Sequence, residues 1–133
     1  MKSKKLSENL KSKWSLKEPM YVEKFEDRYT KYANQLKTDG FSDTETWSLS
    51  DVICEFILPR LIRFKEINNG FPQGTTSEKW DEILDQMIFA FDLSLHWEDE
   101  KYDNLSEEEK KTNWMKYEIG MDLFRRYFRD LWW

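Results

Sequence analysis

An all-α bundle of four main helices is the fold that this sequence predicts, on three observations. Apolar residues recur three and four apart over long stretches. Strand-like alternation is almost absent. Only four Gly and three Pro interrupt 133 residues. The expected helices run over about 19–38, 49–68, 77–97 and 107–131, behind a basic N-terminal arm at 1–17. Residues 18–133 then form one helical domain, long enough to bury a real core without disulfide or metal staples.

The first helix opens near Pro19, a residue that suits a first turn. Its apolar stripe is Tyr21, Val22, Phe25, Tyr29, Tyr32, Ala33 and Leu36, and Gly40 supplies the stop. "FSDTETWSLS" is a connector in which Ser48 or Ser50 can cap the second helix. That helix is apolar on more than one side. Ile53, Phe56, Phe64 and Ile67 share a face, while Leu58 and Ile62 lie away from it. Pro59 falls inside, so a kink or a break into two shorter helices is expected there. "NNGFPQGTT" is a loop whose two glycines lack the following Lys-Ser/Thr of a phosphate cradle.

On the third helix Trp80, Ile83, Leu84, Met87, Phe91 and Leu95 face one way. Phe89 and Leu93 face the other, so this helix touches something on both sides. "EDEKYDNLSEEEKK" is an acidic link, closed by a capping box of Ser106 and Glu109. The last helix carries Trp114, Tyr117, Met121, Phe124, Phe128 and Trp132. Gly120 in its interior costs about 1 kcal/mol relative to Ala, which points to a close helix contact.

The chain is hydrophilic, with mean hydropathy −0.86. Disorder would follow if apolar residues were few, but 17% of the residues are aromatic and such rings bury the most area each. Cys54 is the single cysteine, which excludes an internal disulfide framework and suits a reducing cytosol. It reads as a small core hydrophobe, since a nucleophile would need a neighbouring base. No stretch approaches the ~20 apolar residues of a membrane span, and "MKSKKLSENLKSK" has no apolar run of a signal peptide. Charge is uneven: six lysines against Glu8 give the arm +5, leaving −10 on the rest of a chain of net charge −5. An acidic body argues against nucleic acid as a ligand except through the basic arm.

Two polar constellations bear on chemistry. On the third helix Glu78, Asp81, Asp85, Asp92 and His96 lie along one flank. Asp92 and His96, one turn apart, have the spacing to share a divalent ion, with Asp85 as a further ligand. A carboxylate-rich set suits magnesium or manganese. A solvated acidic flank with no metal or cofactor is the favoured alternative. On the last helix Glu118, Asp122, Arg125 and Arg129 form a charged row between apolar residues. Arg60 projects from the middle of the Ile53/Phe56 face, and an unpaired guanidinium in a core is prohibitively costly. Either it meets a carboxylate, with Glu118 the first choice and Asp122 the second, or it escapes to water at Pro59. A buried tie would make Arg60→Ala cost on the order of 3 kcal/mol. A sharper version is an anion-binding pocket of Arg60, Glu118, Asp122 and Arg125.

The segments "GFSDTETWSLSDVICEFILPRLIRFKE", "WDEILDQMIFAFD" and "EIGMDLFRRYFRDLWW" resemble a family of small uncharacterised proteins of tailed bacteriophages, over roughly residues 40 to 133. That resemblance implies an accessory protein working in a bacterial host cytoplasm, and no particular reaction. Together with the size, the acidic body and the exposed "DLWW", it sets the expectation of a binding protein rather than an enzyme. Its partner would be a host or phage protein, such as a component of anti-phage defence, or a second copy, met through Phe89, Leu93, Trp132 and Trp133. The competing expectation is an all-α metal-dependent hydrolase of nucleotides or related phosphates, using carboxylates of the third and last helices. DNA mimicry is weakened by the 21 basic residues. Deletion of residues 1–13 is expected to leave the melting temperature nearly unchanged, because their apolar content is too low to bury. An unfolded product would show that Leu6 and Leu10 are buried.

Overall fold

The computed structural model describes residues 25–133, and every regular element among them is helical. Helix α1 spans Phe25–Asp39, α2 Leu49–Ile67, α3 Ser77–His96 and α4 Glu107–Tyr127. A single helical turn, Glu100–Asp103, and two 3-10 turns, Asp43–Thr46 and Phe128–Asp130, complete the set. The four main helices are those expected from the periodicity. The basic arm, Pro19, Tyr21 and Val22 lie outside the described residues. No helix of the described residues is long and apolar enough to cross a membrane. Contacts divide the chain into two compact units, one ending at Trp47 and the other running Ser48–Trp133.

In the first unit, α1 ends where expected. Gly40 takes φ +81, and its N–H returns to the Leu36 carbonyl at 3.2 Å. The segment after Gly40 is more ordered than a plain connector. Glu45 N–H donates to the Ser42 carbonyl (3.0 Å) and Glu45 Oε2 accepts from Ser42 N–H (2.8 Å), closing the 3-10 turn. The Asp43 N–H donates to Gln35 Oε1 (2.9 Å), and the Trp47 and Tyr32 rings meet edge to face.

In the second unit, α2 continues through Pro59 without the break that the sequence suggested as one outcome. Ser48 holds its N-cap position but makes no side-chain capping bond. The loop after α2 is held by an Asn68–Gly70 exchange and by Thr75 on the Pro72 carbonyl. Thr76 then caps α3, its Oγ1 accepting from Lys79 N–H at 3.1 Å. Ser106 caps α4 by accepting from Glu109 N–H at 3.2 Å. α4 stops at Tyr127 and tightens into the 3-10 turn, short of the expected 131.

The core is built from Cys54, Leu58 and Leu61 of α2 and from Trp80, Ile83, Leu84, Met87 and Phe91 of α3. α4 adds the partly buried Met121, Leu123, Phe124 and Tyr127. Phe124 meets Phe91 edge to face at 4.9 Å, and Tyr127 meets Trp80 at 5.7 Å. α3 packs against both α2 and α4, whereas contact between those two is slight. A central helix needs two apolar sides, which accounts for Leu93, 2% exposed on the side away from Trp80.

The α3–α4 crossing is unusually close. A Cβ built on Gly120 would fall 2.2 Å from the Gln86 carbonyl oxygen and 2.6 Å from the Ala90 Cβ. Backbone of α3 therefore occupies the place of a side chain. On an exposed helix Gly→Ala gains about 1 kcal/mol. Here Gly120→Ala must push two helices apart and is expected to lose a net 1–3 kcal/mol or so. Urea denaturation checks this, and a variant as stable as the parent would refute the close crossing.

Candidate functional site

Arg60 is exposed, because the face around it is not the core face of α2. The buried set, Cys54, Leu58 and Leu61, is turned roughly 150° around the helix from Phe56 and Arg60, at about 100° per residue. Ile53 and Phe56, expected in the core, are 52% and 58% exposed. The guanidinium folds back on its own helix. Its carbon lies 3.8 Å from the Phe56 ring centroid, and Nη1 donates to the Phe56 carbonyl at 2.8 Å. The carbonyl that Pro59 leaves without an N–H is that of Glu55, four residues earlier, so the Arg60 bond to Phe56 lies beside that gap and does not fill it. Among the described residues it makes no ion pair, with Glu118, Asp122 or any other carboxylate.

The anion pocket expected of Arg60, Glu118, Asp122 and Arg125 is therefore not assembled. α2 and α4 each pack on α3 and hardly touch one another, which keeps Arg60 from the α4 row. Within that row Arg125 Nη2 reaches Asp122 Oδ1 at 3.4 Å, one turn apart, with both side chains about three-quarters exposed. Glu118 is exposed beside them. Such pairs contribute little.

The best-organised polar group forms where α3 ends. Asp92 Oδ2 accepts from Lys101 Nζ (2.6 Å) and from the Tyr102 hydroxyl (2.5 Å). His96 turns Nδ1 to Asp99 Oδ2 at 3.0 Å and Nε2 toward Asp92 Oδ1 at 4.0 Å. Phe89 lies under this knot, edge to face with Tyr102 at 6.0 Å and with Lys116 Nζ above its ring. Burial opposes the charge on Asp92, but the hydrogen bonds from Lys101 and Tyr102, with the charges of Lys101 and His96, outweigh it. The carboxyl is held below its ordinary range. Burial, then the bond to Asp92 and its charge, drives the Tyr102 phenol far above its ordinary value. The sequence named Asp92 and His96 but missed Lys101 and Tyr102, because the link holding them carries no periodicity.

As a metal centre, the expected trio does not converge. Asp85 pairs instead with Lys65 of α2 at 2.7 Å, a bond that outweighs the lysine's desolvation and raises its pKa. Among the described residues no group of three or more His, Cys, Asp or Glu is placed to share an ion.

The apolar interface set also separates. Leu93 is buried, and Phe89 is half-covered by Tyr102 and Lys116. Trp132 and Trp133 are 74% and 68% exposed, beside Phe128 at 60%. Comparison with protein-family models, curated proteins and solved structures finds no match to this chain.

With Arg60 solvated, Arg60→Ala is expected to cost about 1 kcal/mol, one exposed cation–π contact and one hydrogen bond. Thermal melting checks it, and a loss near 3 kcal/mol would restore a buried tie. For Asp92, a folded pKa below the unfolded value of about 3.9 means stabilisation present above that value and lost as pH falls through the folded one. Wild type should therefore shed stability below about pH 4 that Asp92→Asn, weaker at pH 7 by about 1–2 kcal/mol, does not. Denaturant midpoints across pH 2–7 decide it, and parallel curves would contradict the linkage.

Proposed function

We propose that this chain acts by binding another protein, as a phage accessory factor in the cytoplasm of a bacterial host. The observation carrying the reading is the exposure of Trp132, Trp133 and Phe128 while Phe124 and Leu131, a turn or less away, pack on the core. Large exposed aromatics are the side chains most often found as binding anchors. Arg125, Arg126 and Arg129 stand exposed among them, and among the described residues only Arg125 has a carboxylate within reach, Asp122. A surface of this kind fits a partner with an apolar pocket rimmed by carboxylates, where the rings supply affinity and the guanidinium groups steer the approach. The phage resemblance of "EIGMDLFRRYFRDLWW" supports the setting and leaves the partner's identity to experiment.

The test is a comparison of proteins captured from infected bacteria by wild type and by a Trp132→Ser, Trp133→Ser double variant. A partner retained by wild type, lost at least tenfold in the double variant and weakened by raised salt is the expected result. Equal capture by both, with a normal melting curve for the variant, would remove these tryptophans as anchors.

A further inference from the structure

We propose that Asn69 is a site of spontaneous covalent modification, deamidating through a succinimide closed on the Gly70 nitrogen, and that Asn68 restrains the reaction. The chain has a single Asn-Gly pair, Asn69–Gly70. It lies in the loop between α2 and α3, and both residues are exposed. A glycine carries no Cβ to shield its own nitrogen, and its backbone swings more freely than that of any other residue. A Cβ built on Gly70 would meet nothing within 4 Å, so the space beside that nitrogen is open.

The reaction needs water and no other reactant. Gly70 N–H loses its proton to water, and the nitrogen attacks Asn69 Cγ. A C–N bond forms, the Cγ–Nδ2 bond breaks, and the amide nitrogen leaves as ammonia. Water then opens the cyclic imide. Addition at Cγ gives aspartate; addition at the backbone carbonyl routes the chain through Cγ and gives isoaspartate. Among the described residues the other candidates lack one requirement each. Asn34 and Asn113 lie inside α1 and α4, where the following N–H is committed to the helical ladder. Asn104 precedes Leu105, whose side chain crowds the nitrogen. Asp39 precedes Gly40, but the Gly40 N–H is held by the Leu36 carbonyl at 3.2 Å. Gln73 before Gly74 would have to close a larger ring.

The restraint comes from the neighbouring side chain. Asn68 Nδ2 donates to the Gly70 carbonyl at 2.6 Å, and Asn68 Oδ1 accepts from the Gly70 N–H at 3.3 Å, a long bond. The pair holds the Gly70 peptide against the swing that ring closure requires. Made by one exposed side chain, it slows closure without preventing it. Conversion adds a negative charge to a chain of net charge −5. α2 and α3 stay joined by their shared core and by Lys65–Asp85 at 2.7 Å, so the product remains folded.

The test is incubation of the full chain in heavy-oxygen water at mildly alkaline pH for several days. Digestion with trypsin in ordinary water and fragmentation of the 66–79 peptide then locate the label. Wild type is expected to gain heavy oxygen at residue 69, in aspartyl and isoaspartyl forms. Gly70→Ala meets no neighbour and no positive φ, and should slow the gain at least tenfold. Asn69→Gln should abolish it. Asn68→Ala keeps the N–H that reaches the Phe64 carbonyl at 2.8 Å and should speed the gain about threefold, with melting curves confirming that each variant is folded. Wild type without label at residue 69, or equal rates in wild type and Gly70→Ala, overturns the site. Asn68→Ala reacting no faster than wild type overturns the restraint.

Discussion

The approach of α4 to α3 at Gly120 is the constraint on which the second unit depends. With no side chain at that position, the Gln86 carbonyl and Ala90 come close enough to bring two helix backbones together. That closeness lets Phe124 reach Phe91 and Tyr127 reach Trp80, so α4, on which Gly120 alone is fully buried, is still held by rings. The glycine costs helix propensity and gains packing, and dispersion summed over the ring contacts exceeds the loss.

The place of α3 between α2 and α4 has a second consequence. In a three-sided bundle each helix would hide its apolar stripe against two others. Here the outer helices hardly meet, and each keeps apolar surface in water. On α2 it is Leu49, Ile53 and Phe56; on α4 it is Met115 and Ile119.

The polar groups near these surfaces are mostly structural. Asp92 fastens Lys101 and Tyr102 at the end of α3, and Asp85 ties α3 to Lys65 of α2. Each of these two carboxylates is engaged by a donor from another segment. Arg60, conspicuous in a run of apolar residues, folds back on the Phe56 carbonyl of its own helix and presents a flat cation over the Phe56 ring.

The sequence by itself determined the helices and the close crossing. Period is a local property, so α3 was legible from Trp80, Ile83, Leu84, Met87 and Phe91, while its Thr76 cap was seen only in the structure. Gly120 was legible because a glycine inside a strong helix needs a compensating contact. Which face of α2 is inside was decided only by tertiary structure. Cys54, Leu58 and Leu61 form one apolar arc and Ile53, Phe56 and Ile67 another, and a wheel ranks them almost equally. The position of α3 against α2 chose the first arc, exposing the second and solvating Arg60. The same step separated Arg60 from Glu118 and Asp122 and set Asp85 against Lys65. Spacing along one helix specifies which side chains share a face, whereas the partner of a face is set by how whole helices pack.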